Sequence, residues 1–233
     1  MTSAFDLDFD LDRAVPWGRN RAEYLAFFGL LDLAPGARIL DCGAGPSSFN
    51  AEMTALGFEV VSADPLYGCG KPAIAERIAG ARSAIMTGVK AAAGRFVWDD
   101  YGSPEGLERT RLSAMKFFLE DYEEGRAEGR YINASLPDLP FDDGAFDLAL
   151  SSHLLLLYSA QLDIAFHEAA ALEMLRVAAE ARIFPLLDMT GARSRHLEPL
   201  LQALTAHGYA CEIRAVAYEF QLGGNEMLRI ART

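Results

Sequence analysis

Two acidic residues, each at the end of an apolar run, flank a glycine turn early in the chain. The first run ends in Asp41, and Gly43 and Gly45 follow it directly. The second run, residues 58–63, ends in Asp64, 23 positions after the first acid. Glycines accept positive φ and carry no Cβ, so a ligand can lie directly against the backbone. A βαβ unit uses this arrangement to bind a ribosylated adenine cofactor, with the second acid on the ribose hydroxyls.

The glycine spacing bears on which cofactor is bound. A dinucleotide fingerprint requires a third glycine for close packing beneath the pyrophosphate, and Ser48 stands at that position. Residues 39–49 instead resemble motif I of the class I S-adenosylmethionine-dependent methyltransferases, an acid followed by Gly-x-Gly. The resemblance implies that amides around Gly43 and Gly45 face the methionine part of the cofactor. It also implies that Asp41 lies near the ammonium group and that Asp64 accepts from both ribose hydroxyls.

A later loop resembles the segment that binds adenine in the same family. The Leu-Pro-Phe at 139–141 and the Phe-Asp at 146–147 match the family pattern. Ser135 stands where an Asp or Glu usually binds the adenine amino group, and the Leu136 amide is the expected partner of a ring nitrogen. The candidates for the missing acid's role are Asn133, Ser135 and Asp138. The predicted cofactor-binding residues are Asp41, Gly43, Ala44, Gly45, Asp64, Pro65, Ser135, Leu136 and Ser151.

The fourth predicted strand ends at a histidine. Ligands of open α/β sheets bind at the carboxyl ends of the strands, so His153 is expected beside the transferred methyl group. A neutral imidazole there either lines the pocket or removes a proton from the acceptor as a general base. Positioning alone can supply much of the rate of an in-line displacement. Trp17, Arg19 and Tyr158 are the candidate acceptor-site residues.

These residues must be positioned by a sheet, and the chain alternates strand and helix patterns as a parallel sheet requires. Strands are predicted at 38–41, 58–63, 129–134, 146–150 and 182–188, and helices at 21–33, 161–180 and 197–207. Two final runs, 209–220 and 226–232, are joined by Gly-Gly-Asn and predict an antiparallel hairpin. The prediction is a Rossmann-like, doubly wound, mostly parallel seven-stranded sheet that ends in an antiparallel hairpin.

One segment exceeds what a minimal fold needs. The third predicted strand begins 65 positions after Asp64, and the intervening residues 73–93 and 107–124 have helical patterns. A loop of this length is rarely structureless in a compact domain. We therefore predict a helical insertion over residues 68–128 that covers the cofactor pocket as a lid. The basic residues of its first half either are neutralised by the acids of its second half or form a wall that binds an anionic substrate group. They are Lys71, Arg77, Arg82, Lys90 and Arg95.

Bulk properties narrow the class of protein. The chain has 233 residues, enough for a single domain over residues 1–233 that includes the insertion. A net charge of −12 disfavours nucleic acid as the main partner, because phosphate binding is driven by basic clusters. No window approaches a membrane span, and the acidic residues 1–8 lack the pattern of a signal peptide. The three cysteines have no metal-like spacing and fit a reducing cytoplasm, so no metal site is predicted.

Together these features predict a cytoplasmic enzyme that transfers a methyl group from S-adenosylmethionine. The motifs of amide-nitrogen, adenine and cytosine methylation are absent from the sequence, which leaves O or N of a small molecule, or a protein side chain, as acceptor. One alternative is a non-catalytic protein that binds S-adenosylmethionine or S-adenosylhomocysteine. A less favoured alternative is an NAD-dependent oxidoreductase. The oligomeric state is not predicted.

Overall fold

A computed structural model of the protein describes residues 16–233, with the side chain of Asp32 excepted. The acidic stretch at residues 1–8 and Val15 lie outside the described residues. The helices are α1 (Arg21–Phe28), α2 (Phe49–Thr54), α3 (Lys71–Ala91), α4 (Pro104–Ala127), α5 (Ile164–Val177) and α6 (Leu197–Ala206). The strands are β1 (Arg38–Cys42), β2 (Glu59–Ala63), β3 (Tyr131–Ile132), β4 (Phe146–Ser152), β5 (Ala178–Phe184), β6 (Tyr209–Ala215) and β7 (Glu226–Arg232).

All seven strands form one sheet, in the order β3-β2-β1-β4-β5-β7-β6. The pairs among β1 to β5 are parallel, whereas β7 runs antiparallel to both β5 and β6. The last strand is therefore inserted beside the fifth, as in the Rossmann-like methyltransferase fold. The predicted fold class is confirmed.

Helices cover both faces of the sheet. The central strands β1 and β4 are buried along almost their whole length, which is typical of parallel strands covered on both sides. Successive side chains of a strand point to opposite faces, so Ile39 packs into the core beneath α1 and α2 while Leu40 packs into the core beneath α5 and α6. Both cores hold β1 and β4 in place, and these strands end at the site described below.

Several elements differ in extent from the sequence-based predictions. The first helix ends at Phe28 rather than at residue 33, β5 spans Ala178–Phe184 rather than 182–188, and β6 ends at Ala215 rather than at residue 220. The long helix was predicted to continue to residue 180, but it ends at Val177 and β5 begins at the next residue, Ala178. No glycine or proline separates the two elements, and alanine and glutamate favour helix, so the change is imposed by pairing with β4. The predicted strand at 129–134 is reduced to two residues, because β3 is an edge strand paired only with β2.

The insertion contains α3 and α4, which pack on each other and on a third core of aliphatic and aromatic side chains. Tyr122 of α4 donates to the carbonyl oxygens of Tyr67 and Cys69 at 3.1 and 2.8 Å, which fixes the insertion to the chain that follows β2. Ion pairs Arg82–Glu108 and Lys90–Glu105 link α3 to α4. Arg82 and Lys90 are thus neutralised by acids of the second half, which was one of the two alternatives predicted for the basic residues of the first half. Within residues 16–233 no helix has the length and apolarity needed to cross a membrane.

Candidate functional site

A cavity opens where the carboxyl ends of β1, β2 and β4 meet. Its volume is about 830 Å³ when the open space at its mouth is included. Most of the predicted site residues line it. They are Trp17, Arg19, Gly43, Ala44, Gly45, Asp64, Pro65, Ser135, Leu136, His153 and Tyr158. Asp41 and Ser151 do not: both are fully buried next to the cavity.

The glycine turn forms the floor of this cavity, and both of its glycines have positive φ, 68° at Gly43 and 58° at Gly45. A Cβ on Gly43 would lie 2.4 Å from Cδ2 of Leu154. The Gly43 amide donates to Ala63 O at 2.8 Å, and the Gly45 amide donates to Asp64 Oδ2 at 2.8 Å. These two amides are therefore used within the protein and do not face a ligand as expected. The glycines serve the site by their backbone conformation and their missing side chains.

Replacing Gly43 with alanine is expected to destabilise the protein by about 3 kcal/mol, because left-handed backbone strain and a steric clash are combined. Gly144 has the same φ, 67°, but nothing within 4 Å of its Cβ position, so Gly144→Ala is a matched control for the strain alone. We expect that control to lose only about 1 kcal/mol in urea unfolding. Equal losses in the two variants would show that the Leu154 contact is unimportant.

Asp64 connects the second strand to the glycine turn. One of its carboxylate oxygens accepts from the Gly45 amide, and the other accepts from the Leu66 amide at 2.8 Å, at the start of a short 3₁₀ helix. Tyr67, in that helix, donates to the Gly45 carbonyl oxygen at 2.7 Å. The acid predicted to bind ribose is thus oriented by two backbone amides while it also lines the cavity.

Asp41 lies behind Tyr24, whose side chain lines the cavity. The Tyr24 hydroxyl donates to Asp41 Oδ1 at 3.3 Å, and Asp41 Oδ2 has no hydrogen-bond partner among the described residues. Burial raises the pKa of Asp41 to about 8; the Tyr24 bond opposes this shift and the Asp64 charge adds to it. A carboxyl with this pKa is mostly protonated at neutral pH. Tyr24 is not among the site residues predicted from the sequence, because its contact with Asp41, 17 residues away, is set by the tertiary fold.

The segment before α1 closes one side of the cavity. A Cβ on Gly18 would lie 1.9 Å from the Pro46 carbonyl oxygen, so the two backbones are in direct contact. The Arg19 carbonyl oxygen accepts from the Ser48 amide at 3.0 Å and from the Ser47 hydroxyl at 2.8 Å. These bonds hold Trp17 and Arg19 over the glycine turn.

His153 follows β4 and is the only non-glycine residue with positive φ among residues 16–233, at 55°. Its amide donates to Phe184 O at 2.7 Å, and its Nδ1 is 2.8 Å from Ser152 Oγ. Burial, and then the charges of Arg19 and Arg111, lower the pKa of the imidazole well below its usual value. The ring is therefore neutral at physiological pH. Because Nδ1 is engaged by Ser152, Nε2 is the nitrogen left for a ligand.

In the predicted adenine loop, Ser135 and Leu136 line the cavity. The Asp138 amide donates to Ser135 O at 3.0 Å in a tight turn, and the Asp138 side chain is exposed. Neither Asp138 nor Asn133 lines the cavity, so Ser135 is the candidate of the three that is in place.

A buried ionic cluster beside the site was not predicted. Arg111 of the insertion, 1% exposed, forms an ion pair with Glu23 of α1 and donates to the Tyr101 hydroxyl at 3.2 Å. Tyr101 in turn donates to Glu23, and its hydroxyl lies 2.7 Å from that of Tyr218. Burial alone would raise the pKa of Glu23, but Arg111 holds it below its usual value. The one local signal in the sequence is Asn20 three residues before Glu23, a capping box that the structure confirms.

A second cavity, about 990 Å³ with its mouth, lies between the insertion and the carboxyl end of β5. It shares Trp17, Arg19 and His153 with the first cavity. The loop between β6 and β7 forms part of its wall, and this loop bonds to the insertion: Val97 donates to Phe220 O at 2.7 Å and Leu222 donates to Arg95 O at 3.1 Å. The two cavities thus meet at His153.

No three His, Cys, Asp or Glu side chains of residues 16–233 are grouped closely enough to hold a metal ion. His167 is fully buried, and its Nδ1 lies 2.6 Å from the Asp163 carbonyl oxygen.

No family profile matches the chain. Solved structures that resemble it include the magnesium protoporphyrin IX methyltransferase of Synechocystis with bound SAM, at 13% identity and a TM-score of 0.47 over 85% of this chain and 71% of that one. A TehB-like SAM-dependent methyltransferase of Corynebacterium glutamicum has 15% identity and a TM-score of 0.47 over 86% and 83% of the two chains. A SAM-dependent methyltransferase of Aquifex aeolicus has 12% identity and a TM-score of 0.44 over 89% and 90%.

One curated relative matches over nearly its whole length. The uncharacterized protein MJ0045 of Methanocaldococcus jannaschii is 33% identical over 224 residues, which are 96% of this chain and 98% of that protein. The chain therefore belongs to the same protein family as MJ0045 of Methanocaldococcus jannaschii.

Proposed function

We propose that the protein is an S-adenosylmethionine-dependent methyltransferase that acts on O or N of a small molecule, with the cofactor in the first cavity. The observation that carries the proposal is the position of Asp64 and of the turn at Gly43 and Gly45 on one cavity, at the ends of adjacent parallel strands. A ribose diol and a flexible charged chain need these groups: a carboxylate acceptor and a backbone without side chains.

The residues present fit this cofactor. The carboxylate of Asp64 suits the ribose hydroxyls, and the lining by Ser135 and Leu136 suits an adenine ring that is bound by one hydroxyl and one backbone amide. No heavy atom lies within 4 Å of a Cβ built on Gly45, so a bound chain could lie directly against the backbone at this position of the cavity.

When bound, S-adenosylmethionine would supply an activated methyl group: a lone pair of the acceptor attacks the methyl carbon, and the sulfur leaves with the electrons of the broken bond. The contribution of this chain is to hold the acceptor in line at the junction of the two cavities, where His153 lies. A neutral imidazole at that point has the protonation state required to accept the proton that the acceptor loses. His153 is thus the candidate general base, through Nε2.

Calorimetric titration of the full chain with S-adenosylmethionine, S-adenosylhomocysteine and NAD⁺ tests the proposal. We expect the first two to bind with micromolar or tighter dissociation constants and NAD⁺ to bind at least about 100-fold more weakly, because the third glycine of a dinucleotide site is replaced by Ser48. Failure of both adenosyl ligands to bind would overturn the cofactor assignment. Preferred binding of NAD⁺ would favour an oxidoreductase instead.

A second measurement separates an enzyme from a non-catalytic binding protein. The release of S-adenosylhomocysteine is followed with the protein, S-adenosylmethionine and a panel of small-molecule acceptors. Turnover that depends on an acceptor supports methyl transfer. Tight binding without turnover on any acceptor would favour a sensor or partner subunit.

A further inference from the structure

The second cavity is lined mainly by apolar and aromatic side chains, and it joins the first cavity at Trp17, Arg19 and His153. Phe184 forms part of its wall at the end of β5, and Phe96 and Phe220 lie on the side of the insertion with their rings stacked at 4.5 Å. Surfaces of this kind bind flat apolar molecules by stacking and desolvation.

The charged side chains that line this cavity are all positive. Three arginines line it, Arg19, Arg95 and Arg111, and no aspartate or glutamate does. This contrasts with the chain as a whole, whose net charge is −12. The charge of Arg111 is compensated by the buried ion pair with Glu23.

The other two arginines have no carboxylate within ion-pair distance among the described residues. Arg19 donates from Nη1 to the Trp17 carbonyl oxygen at 3.1 Å, and its buried Nε has no partner. Burial and the charge of Arg111 lower the pKa of Arg19, and the charge of Glu23 offsets this shift only in part. Arg95 donates to the Met189 carbonyl oxygen at 3.1 Å. Of the basic residues predicted to form a substrate-binding wall, Arg95 is the one that lines the cavity.

We propose that the second cavity binds the methyl acceptor, and that the acceptor is a flat, largely aromatic molecule that carries an anionic group paired with Arg19 or Arg95. The identification of this ligand as the methyl acceptor rests on the proposed function. The chemistry of the ligand follows from the cavity alone. An uncharged ligand would leave the guanidinium of Arg19, whose Nε is buried, without a counter-charge next to a cofactor whose sulfonium is itself cationic. Arg95 is exposed, so it can offer its charge to the ligand at the mouth of the cavity. An anionic group removes that cost.

A pair of fluorescent probes with the same aromatic skeleton tests the ligand class. 8-Anilinonaphthalene-1-sulfonate carries one sulfonate, and N-phenyl-1-naphthylamine is its uncharged counterpart. We expect the wild-type protein to bind the sulfonate at least about 10-fold more tightly, since a hydrogen bond to a charged group contributes about 1.5–3 kcal/mol. Arg19→Gln and Arg95→Gln should reduce this preference, whereas binding of the neutral probe should remain unchanged. Arg82→Gln is the matched control, because Arg82 lies in the same insertion but is paired with Glu108 and does not line the cavity.

The same titrations locate the probe. With saturating S-adenosylhomocysteine, binding of the sulfonate should persist, because the two ligands occupy different cavities. A lowered preference for the sulfonate in either arginine variant supports the site. Equal binding of both probes, an unchanged preference in both variants, or competitive displacement by S-adenosylhomocysteine would overturn it. If the sulfonate binds as expected but S-adenosylmethionine does not bind at all, the proposed function fails while the anion-binding aromatic cavity stands.

Discussion

Replacing Asp64 with alanine is expected to weaken binding of S-adenosylhomocysteine by about 100-fold or more. The carboxylate is expected to accept hydrogen bonds from two ribose hydroxyls, and each bond to a charged group contributes about 1.5–3 kcal/mol. The substitution also removes the acceptor of the Gly45 and Leu66 amides, so the glycine turn loses its support. Isothermal titration calorimetry of wild type and variant measures the effect.

Glu59→Ala is the control for Asp64→Ala, because Glu59 is an exposed acid at the opposite end of the same strand. Its affinity for S-adenosylhomocysteine should equal that of wild type. A thermodynamic cycle that combines Asp64→Ala with a ligand analogue lacking the ribose hydroxyls separates two effects: loss of the ribose contact and loss of support for the glycine turn. In wild type the analogue should bind more weakly than the parent ligand, and in Asp64→Ala the difference should vanish. Undiminished binding by the alanine variant would remove Asp64 from the site.

Replacing Asp41 with asparagine is expected to stabilise the ligand-free protein at alkaline pH. The folded-state pKa of this carboxyl is about 8, above its value of about 3.8 in the unfolded chain. A group of this kind contributes stability that is fully present below pH 4 and is lost as the pH rises toward 8, because the unfolded chain ionises first. The loss approaches about 1.4 kcal/mol per pH unit, and asparagine, which does not ionise, escapes it. The difference in unfolding free energy between the variant and wild type should therefore shift in favour of the variant by several kcal/mol between pH 4 and pH 8.

Urea unfolding at pH 5, 6, 7 and 8 measures this difference. Asp147→Asn is the control: Asp147 is an exposed acid on β4 whose bond from Arg38 lowers its pKa. Its contribution is lost only as the pH falls below about 4, so its difference from wild type should not change between pH 5 and 8. Parallel curves for Asp41→Asn and wild type over that range would show that Asp41 is ionised in the folded protein.

The residues of the first cavity could be predicted because their signals are local. Asp41, Gly43 and Gly45 follow one apolar run directly, and Asp64 ends the next, so the parallel arrangement of β1 and β2 alone brings them together. The fold followed from the same alternation of strands and helices. The use of the two glycine amides within the protein was not predicted, since it depends on the course of the backbone after β2.

The second cavity could not be predicted, because its walls come from distant parts of the chain. Glu23 and Arg111 are 88 residues apart and carry no pattern that marks them as a pair. Phe96 and Phe220 are brought together only when the loop after β6 bonds to the segment between α3 and α4. Sequence periodicity reports which face of an element is buried, and it does not report which distant element covers that face.

The side chain of Glu23 completes the capping box of α1 through one oxygen and compensates Arg111 through the other. An engineered chain that lacks residues 68–128 would keep every strand of the sheet. It would nevertheless remove Arg111 and Tyr101, the counter-charge and the hydroxyl donor of the Glu23 carboxylate at the first turn of the first helix. The insertion therefore cannot be removed without also removing the partners of a buried side chain of α1. Substitutions in this insertion that remove Arg111 are therefore expected to disturb the start of α1 as well as the wall of the second cavity.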